Sequence, residues 1–192
     1  MDFLNFVAGT RSCRRFNEAQ SLTFKDLEWL LDCARLSPCS RNEQELRYIT
    51  VNQGEVCKEL ERVCSWAGAL KDWNGPAEGE KPTAFIAVLA PDNSNARFCY
   101  DVGIACQTIN LAAHSRGWGA CIILSFNHVK AAELLQPPVD LKINLLIALG
   151  VEAEKRVVAP MPADGSFDYW RDAQDVHYVP KRSLEELIVG KF

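Results

Sequence analysis

The stretch F-C-Y-D-V-G-I-A-C-Q-T-I-N-L-A-A-H-S-R-G-W-G-A-C-I-I-L, Phe98–Leu124, decides the fold. Val102, Ala105, Cys106, Ile109, Ala112 and Ala113 recur at helical spacing, and Ile104 and Leu111 widen the stripe. The spacing predicts a helix over residues 98–116, the longest in the chain. A helix apolar over so much of its girth runs through the centre of a molecule or faces a second subunit. Gly117 is placed to end it. Ala120–Leu124 then reads as a core strand.

Working outward, the continuous apolar run Thr83–Ala90 suits a strand buried on both faces. Residues 142–150 and 47–51 read as further strands. Helical patterns cover residues 2–9, 55–66 and 129–135. Another helix follows Thr23, a suitable cap with Asp26 in the first turn, and carries Leu27, Leu30, Leu31 and Ala34. It must stop before Pro38. Strands alternating with helices point to a layered α/β or α+β fold, and the length allows one domain over residues 1–192. Residues 67–82 form a long irregular loop holding Trp73, a length that is often functional. Residues 160–175 are loop-like, 176–179 extended, and Ser183 with Glu186 has capping-box spacing for a last helix.

The 192 residues carry a net charge of -4, which argues against a general nucleic-acid binder. No apolar run reaches the roughly 18 residues of a bilayer span. The first residues lack the basic start and apolar run of a secretory signal, so a cytoplasmic protein is expected. The eight cysteines lack zinc-site spacing and are expected to be reduced, mostly buried thiols, with no metal bound. His114, His128 and His177 are far apart and are read as polar or capping residues.

Against this acidic background, Arg11-Ser12-Cys13-Arg14-Arg15-Phe16 stands out. Guanidinium forks and a hydroxyl suit a phosphate or carboxylate. An extended run would point Ser12 and Arg14 to one side, and a helical one would wrap Arg11 and Arg14 onto neighbouring turns; either makes a compact anion site. Lys181-Arg182 is a second basic cluster, which joins the first if the chain ends meet. Between them lies the polar loop Ser37-Pro38-Cys39-Ser40-Arg41-Asn42-Glu43-Gln44, where the amides of Asn42 and Gln44 suit the edge of a planar heterocycle.

Taken in order, these features resemble the FMN-dependent nitroreductase family. Arg11-Ser12-x-Arg14-x-Phe16 resembles its phosphate motif, and Ser37–Gln44 its Pro-Ser-x-x-Asn-x-Gln loop. Asp101–Ala105 through Asn110–Ala113 to Gly117-Trp118-Gly119 resembles its central helix and turn, and Val179-Pro180-Lys181-Arg182 its closing basic motif. The resemblance implies an α+β fold: a mixed β-sheet flanked by helices, in an intertwined homodimer with a long central helix and FMN at the subunit interface. Arg11, Ser12, Arg14, Lys181 and Arg182 would hold the phosphate. Pro38, Cys39 and Ser40 would lie against the flavin, Asn42 and Gln44 at its polar edge, and the backbone of Leu124 and Ser125 toward its N5 side. Thr10 stands where many members have Arg, Cys39 replaces a common Ser, and Glu45 a common Pro. The resemblance implies hydride passage from NADH or NADPH through FMN to a small acceptor such as a nitroaromatic or quinone, by alternating reduction and oxidation. That chemistry belongs to the cofactor, so no catalytic side chain is required. The alternative is a flavin-binding carrier or redox sensor without turnover.

Overall fold

A computed structural model describes residues 2–91 and 96–192. In chain order the elements are α1 (Phe3–Gly9), α2 (Phe24–Arg35), β1 (Arg47–Val51), α3 (Gly54–Val63), β2 (Ala84–Pro91), α4 (Ala96–Ser115), β3 (Trp118–Ile123), α5 (His128–Leu135), β4 (Leu141–Val151), β5 (Arg156–Pro160), β6 (Trp170–Arg171), β7 (His177–Lys181) and α6 (Leu184–Leu187). A single 3₁₀ turn, Ser40–Asn42, lies between α2 and β1. The fold is α+β.

The main sheet has the order β1-β2-β4-β3, antiparallel throughout. Alternation along β2 sends Ala84, Ile86, Val88 and Ala90 to the face covered by α2 and α4, and Phe85, Ala87 and Leu89 to the face covered by α3 and α5. Central strands buried on both faces are why β2 reads as an unbroken apolar run. In β4, Leu145 and Ile143 sit on opposite faces although two residues apart. The register shift opposite Val88/Leu89 skips Asn144 and switches the faces. α2 begins with the expected cap: Thr23 and Asp26 form a complete capping box. α4 buries Phe98, Val102, Ala105, Cys106, Ile109 and Ala113, while Tyr100 and Ile104 stay exposed.

A second, smaller sheet, β5-β7-β6, holds parallel pairing: β5 runs parallel to β7. It was not foreseen: β6 lies where the sequence reads as loop, and β5 falls almost wholly in the stretch after residue 150 to which no element was given. The chain's head is tied to the main sheet and to the segment that leaves it. Cys13 N–H donates to the Ala120 carbonyl at 2.9 Å, Asn17 N–H to Val151 at 2.8 Å, and Ala153 N–H to Arg15 at 3.0 Å. The paired glycines Gly119 and Gly150 permit this crossing. A Cβ at Gly119 would meet Cys13 Sγ at 2.4 Å, and one at Gly150 would meet the Phe16 ring at 3.0 Å. All eight cysteines are free thiols. Burial pushes Cys13, Cys64 and Cys106 up to about 12 and Cys57 to about 11, so these remain protonated. Among the described residues no helix is long and apolar enough to cross a membrane.

Candidate functional site

The two ends of the chain meet at a cleft of about 320 Å³. Thr10, Arg11, Ser12 and Arg14 line one side, Gln107 and Asn110 of α4 another, and His177, Val179 and Lys181 of β7 a third. Ser12 and Arg14 reach the cleft together, and Cys13 between them is fully buried, as an extended run requires. Along β7, period-two alternation turns His177, Val179 and Lys181 inward. Arg182 stands apart from these three. Arg182 is out of phase, is absent from the cleft lining, and places Nη1 3.3 Å from Glu186. Arg11 folds back at the end of α1: Nη2 donates to the Val7 carbonyl at 2.8 Å and Nε to Thr10 at 2.7 Å.

Arg14 is held on three sides. Its guanidinium carbon lies 4.6 Å from the centre of the Tyr169 ring, a cation–π distance. Its Nη1 is 3.4 Å from His177 Nε2. Its main-chain N–H donates to Glu154 at 2.9 Å. Glu154 has no exposed side-chain surface and pairs with Arg171, whose Nε donates to it at 3.2 Å. Buried Arg156 pairs with Glu152, yet its Nε and Nη1 have no partner among the described residues. Arg11, Arg14 and Lys181 line the cleft with no carboxylate among its lining residues, while Arg156 and Arg171 are paired with Glu152 and Glu154. Burial, with Arg14, Arg171 and Arg156, holds the His177 pKa down to about 4 against the opposing pull of Glu154. Positive excess, hydroxyl and amide donors fit a dianionic phosphate on a polyhydroxy chain.

The loop candidates assemble elsewhere. Pro38, Cys39 and Gln44 line a separate cleft of about 210 Å³ with Glu45, Tyr48 and Asp101. Ser40 N–H donates to buried Asp101 at 2.8 Å, and Ser37 Oγ is 2.7 Å from Thr108 Oγ1, so both anchors belong to α4. Arg41, Asn42 and Gln44 all have φ between 50° and 58°. Three non-glycine left-handed residues in one loop cost on the order of 1–3 kcal/mol each, and such strain concentrates at ligand sites. Gln44 Nε2 donates to the Asn42 carbonyl at 3.2 Å. The two clefts share no lining residue. Within one subunit the structure thus brings together Arg11, Ser12, Arg14 and Lys181, and separately Pro38, Cys39 and Gln44. Ser40 and Asn42 lie in the same loop without lining its cleft. Leu124 and Ser125 are exposed just beyond β3, whose Ile122 lines the cationic cleft.

Sequence reasoning missed Gln107, Asn110, Tyr169, Glu154 and His177 as site residues. Gln107 and Asn110 are one turn apart on α4, a spacing open to inspection. Tyr169 and Glu154 carry no local signal. Trp73 does not cover the cationic cleft: Arg171 stacks on it at 4.3 Å. Tyr169 pins the carboxyl-terminal arm, its hydroxyl accepting from Ala69 N–H at 3.5 Å.

Residues 7–151 match the model of the Nitroreductase family. Protein DrgA of Synechocystis is 36% identical over 181 residues, covering 80% of this chain and 86% of that protein. A protein of Archaeoglobus fulgidus described as a putative NADH dehydrogenase/NAD(P)H nitroreductase is 25% identical, covering 80% and 87%. Among solved structures, the FMN-dependent nitroreductase of Clostridium difficile R20291 superposes with a TM-score of 0.63 at 21% identity, covering 79% of this chain and 88% of that one. A nitroreductase family protein of Streptococcus pneumoniae gives a TM-score of 0.67 at 18% identity, covering 85% and 97%.

Proposed function

Because this chain belongs to the nitroreductase family of oxidoreductases, we propose that it is an FMN-dependent enzyme passing a hydride from NADH or NADPH to a small oxidised acceptor, a nitroaromatic or quinone. One observation carries the reading: Arg11, Ser12, Arg14 and Lys181, from opposite ends of the chain, line one cleft. FMN, when bound, supplies the hydride relay, accepting from the reduced nicotinamide and passing on to the acceptor. Arg11, Arg14 and Lys181 neutralise its phosphate, and Ser12 donates a hydroxyl. Gln107 and Asn110 offer amides to the polyhydroxy chain. Loop residues Pro38, Cys39, Ser40, Asn42 and Gln44, with the backbone of Leu124 and Ser125, serve the ring.

The separation of the two clefts supports a homodimer in which one subunit's loop completes the other's phosphate cleft. Exposed Tyr100 and Ile104 on α4, beside that loop, supply apolar surface for it. Residues 1–192 then act as one FMN-binding domain, and the free thiols fit a reducing compartment such as the cytoplasm. The test is the visible spectrum of the purified protein before and after anaerobic NADH or NADPH, then a quinone. The expected result is a flavin spectrum bleached by the nicotinamide and restored by the acceptor. A flavin spectrum that neither nicotinamide bleaches identifies a carrier or sensor, and failure to take up FMN overturns the reading.

A further inference from the structure

We propose that His177 is a positioning residue: as a neutral acceptor at the wall of the cationic cleft, it fixes where the Arg14 guanidinium points. The inference rests on the reading of this cleft as the FMN phosphate site. Arginine has donors only, so the 3.4 Å approach of Arg14 Nη1 to His177 Nε2 requires the lone pair on Nε2 and the proton on Nδ1. Nδ1 is buried and has no partner among the described residues, so no competing bond sets the tautomer the other way. The imidazole itself has no exposed surface.

Its place is fixed by the backbone. His177 lies on the middle strand of the small sheet, opposite Arg156 of β5 on one side and Arg171 of β6 on the other. Its N–H donates to the Lys155 carbonyl at 2.9 Å. The charged groups facing the ring are Glu154, Arg14, Arg171 and Arg156; burial first, and then the three guanidiniums against the pull of Glu154, disfavour a second proton on the ring. Tyr169 closes the other side, 5.1 Å from the His177 ring and 4.6 Å from the Arg14 guanidinium. Arg14 is therefore clamped between an aromatic face and a lone pair. Of its two terminal nitrogens, the clamp engages Nη1 and leaves Nη2 for an anion. A flexible arginine held in one pose loses less entropy when it captures a phosphate.

The test compares FMN with riboflavin, which lacks the phosphate, by fluorescence titration of refilled protein. His177→Gln keeps an acceptor near the Nε2 position, His177→Asn reaches only as far as Nδ1, and His177→Phe removes the acceptor. The expected result is that Asn and Phe variants lose about tenfold in FMN affinity, with riboflavin affinity unchanged and most of the loss recovered in the Gln variant. Equal behaviour of the Gln and Asn variants overturns the proposal, even if the Phe variant fails to fold. Arg14→Ala is the control. If it leaves the FMN-to-riboflavin ratio unchanged, the phosphate reading of the cleft fails. If it lowers the ratio and His177→Asn does not, only the role of His177 fails.

Discussion

Arg14 is the residue on which the cleft turns. Among the described residues its guanidinium has no carboxylate partner; it meets an aromatic face and an imidazole lone pair instead. Its charge is thus uncommitted and available to a phosphate. A charge-assisted hydrogen bond contributes roughly 1.5–3 kcal/mol, so Arg14→Ala should weaken FMN binding about tenfold to a hundredfold in a fluorescence titration. Unchanged affinity would contradict the assignment. His177 makes a second, separable prediction. Its folded pKa, about 4, lies below the ordinary 6.5. Its neutral burial therefore contributes full stability above pH 6.5, and the contribution falls away as pH drops toward 4. Thermal melts should show His177→Gln losing less stability than the parent chain between those two values. Parallel curves would show that His177 is not held neutral. Legibility at this scale followed alternation: Ser12 and Arg14 were legible as a pair because one extended run points both the same way. Arg182 adjoins Lys181 in sequence, whereas strand phase gives this wall of the cleft to His177, Val179 and Lys181.

At the level of elements, α4 holds the site together. It gives Gln107 and Asn110 to the cationic cleft and anchors the loop through Asp101 and Thr108. The loop's three left-handed residues must be held by such contacts, since the backbone alone does not favour them. Asp101→Ala leaves the Ser40 N–H without its partner. Amide exchange at Ser40–Gln44 should then accelerate by about tenfold to a hundredfold, with the β2–β4 amides unaffected. Exchange unchanged in the loop would show that Asp101 is dispensable to it. Periodicity made α2, α4 and the main-sheet strands legible, because each buries a regular face against the core. β5 and β6 were not legible. β5 pairs in parallel with a strand about twenty residues on, and β6 is two residues long, so neither leaves a pattern in its own sequence. The partner of Trp73, Arg171, is likewise remote in sequence.

For the whole molecule, the distribution of apolar surface is the remaining argument. α1 and α6 bury no residue at all, and Phe3, Leu4, Leu184, Leu187, Val189 and Phe192 are largely exposed. Helices of seven and four residues do not persist in water by propensity alone. Burying a leucine side chain contributes about 1.5–3 kcal/mol, so covering these ends with a second subunit stabilises them substantially. The same association would bring the strained loop of one chain to the cationic cleft of the other, which one subunit cannot do for itself. Replacing Leu184 and Leu187 together by Glu should therefore shift sedimentation from dimer to monomer and weaken FMN binding by at least about tenfold. The far-UV circular dichroism of the subunit should barely change, because α6 contributes nothing to the core. A parent chain that sediments as a monomer yet binds FMN tightly would refute the shared site, while leaving the phosphate cleft of the single subunit in place.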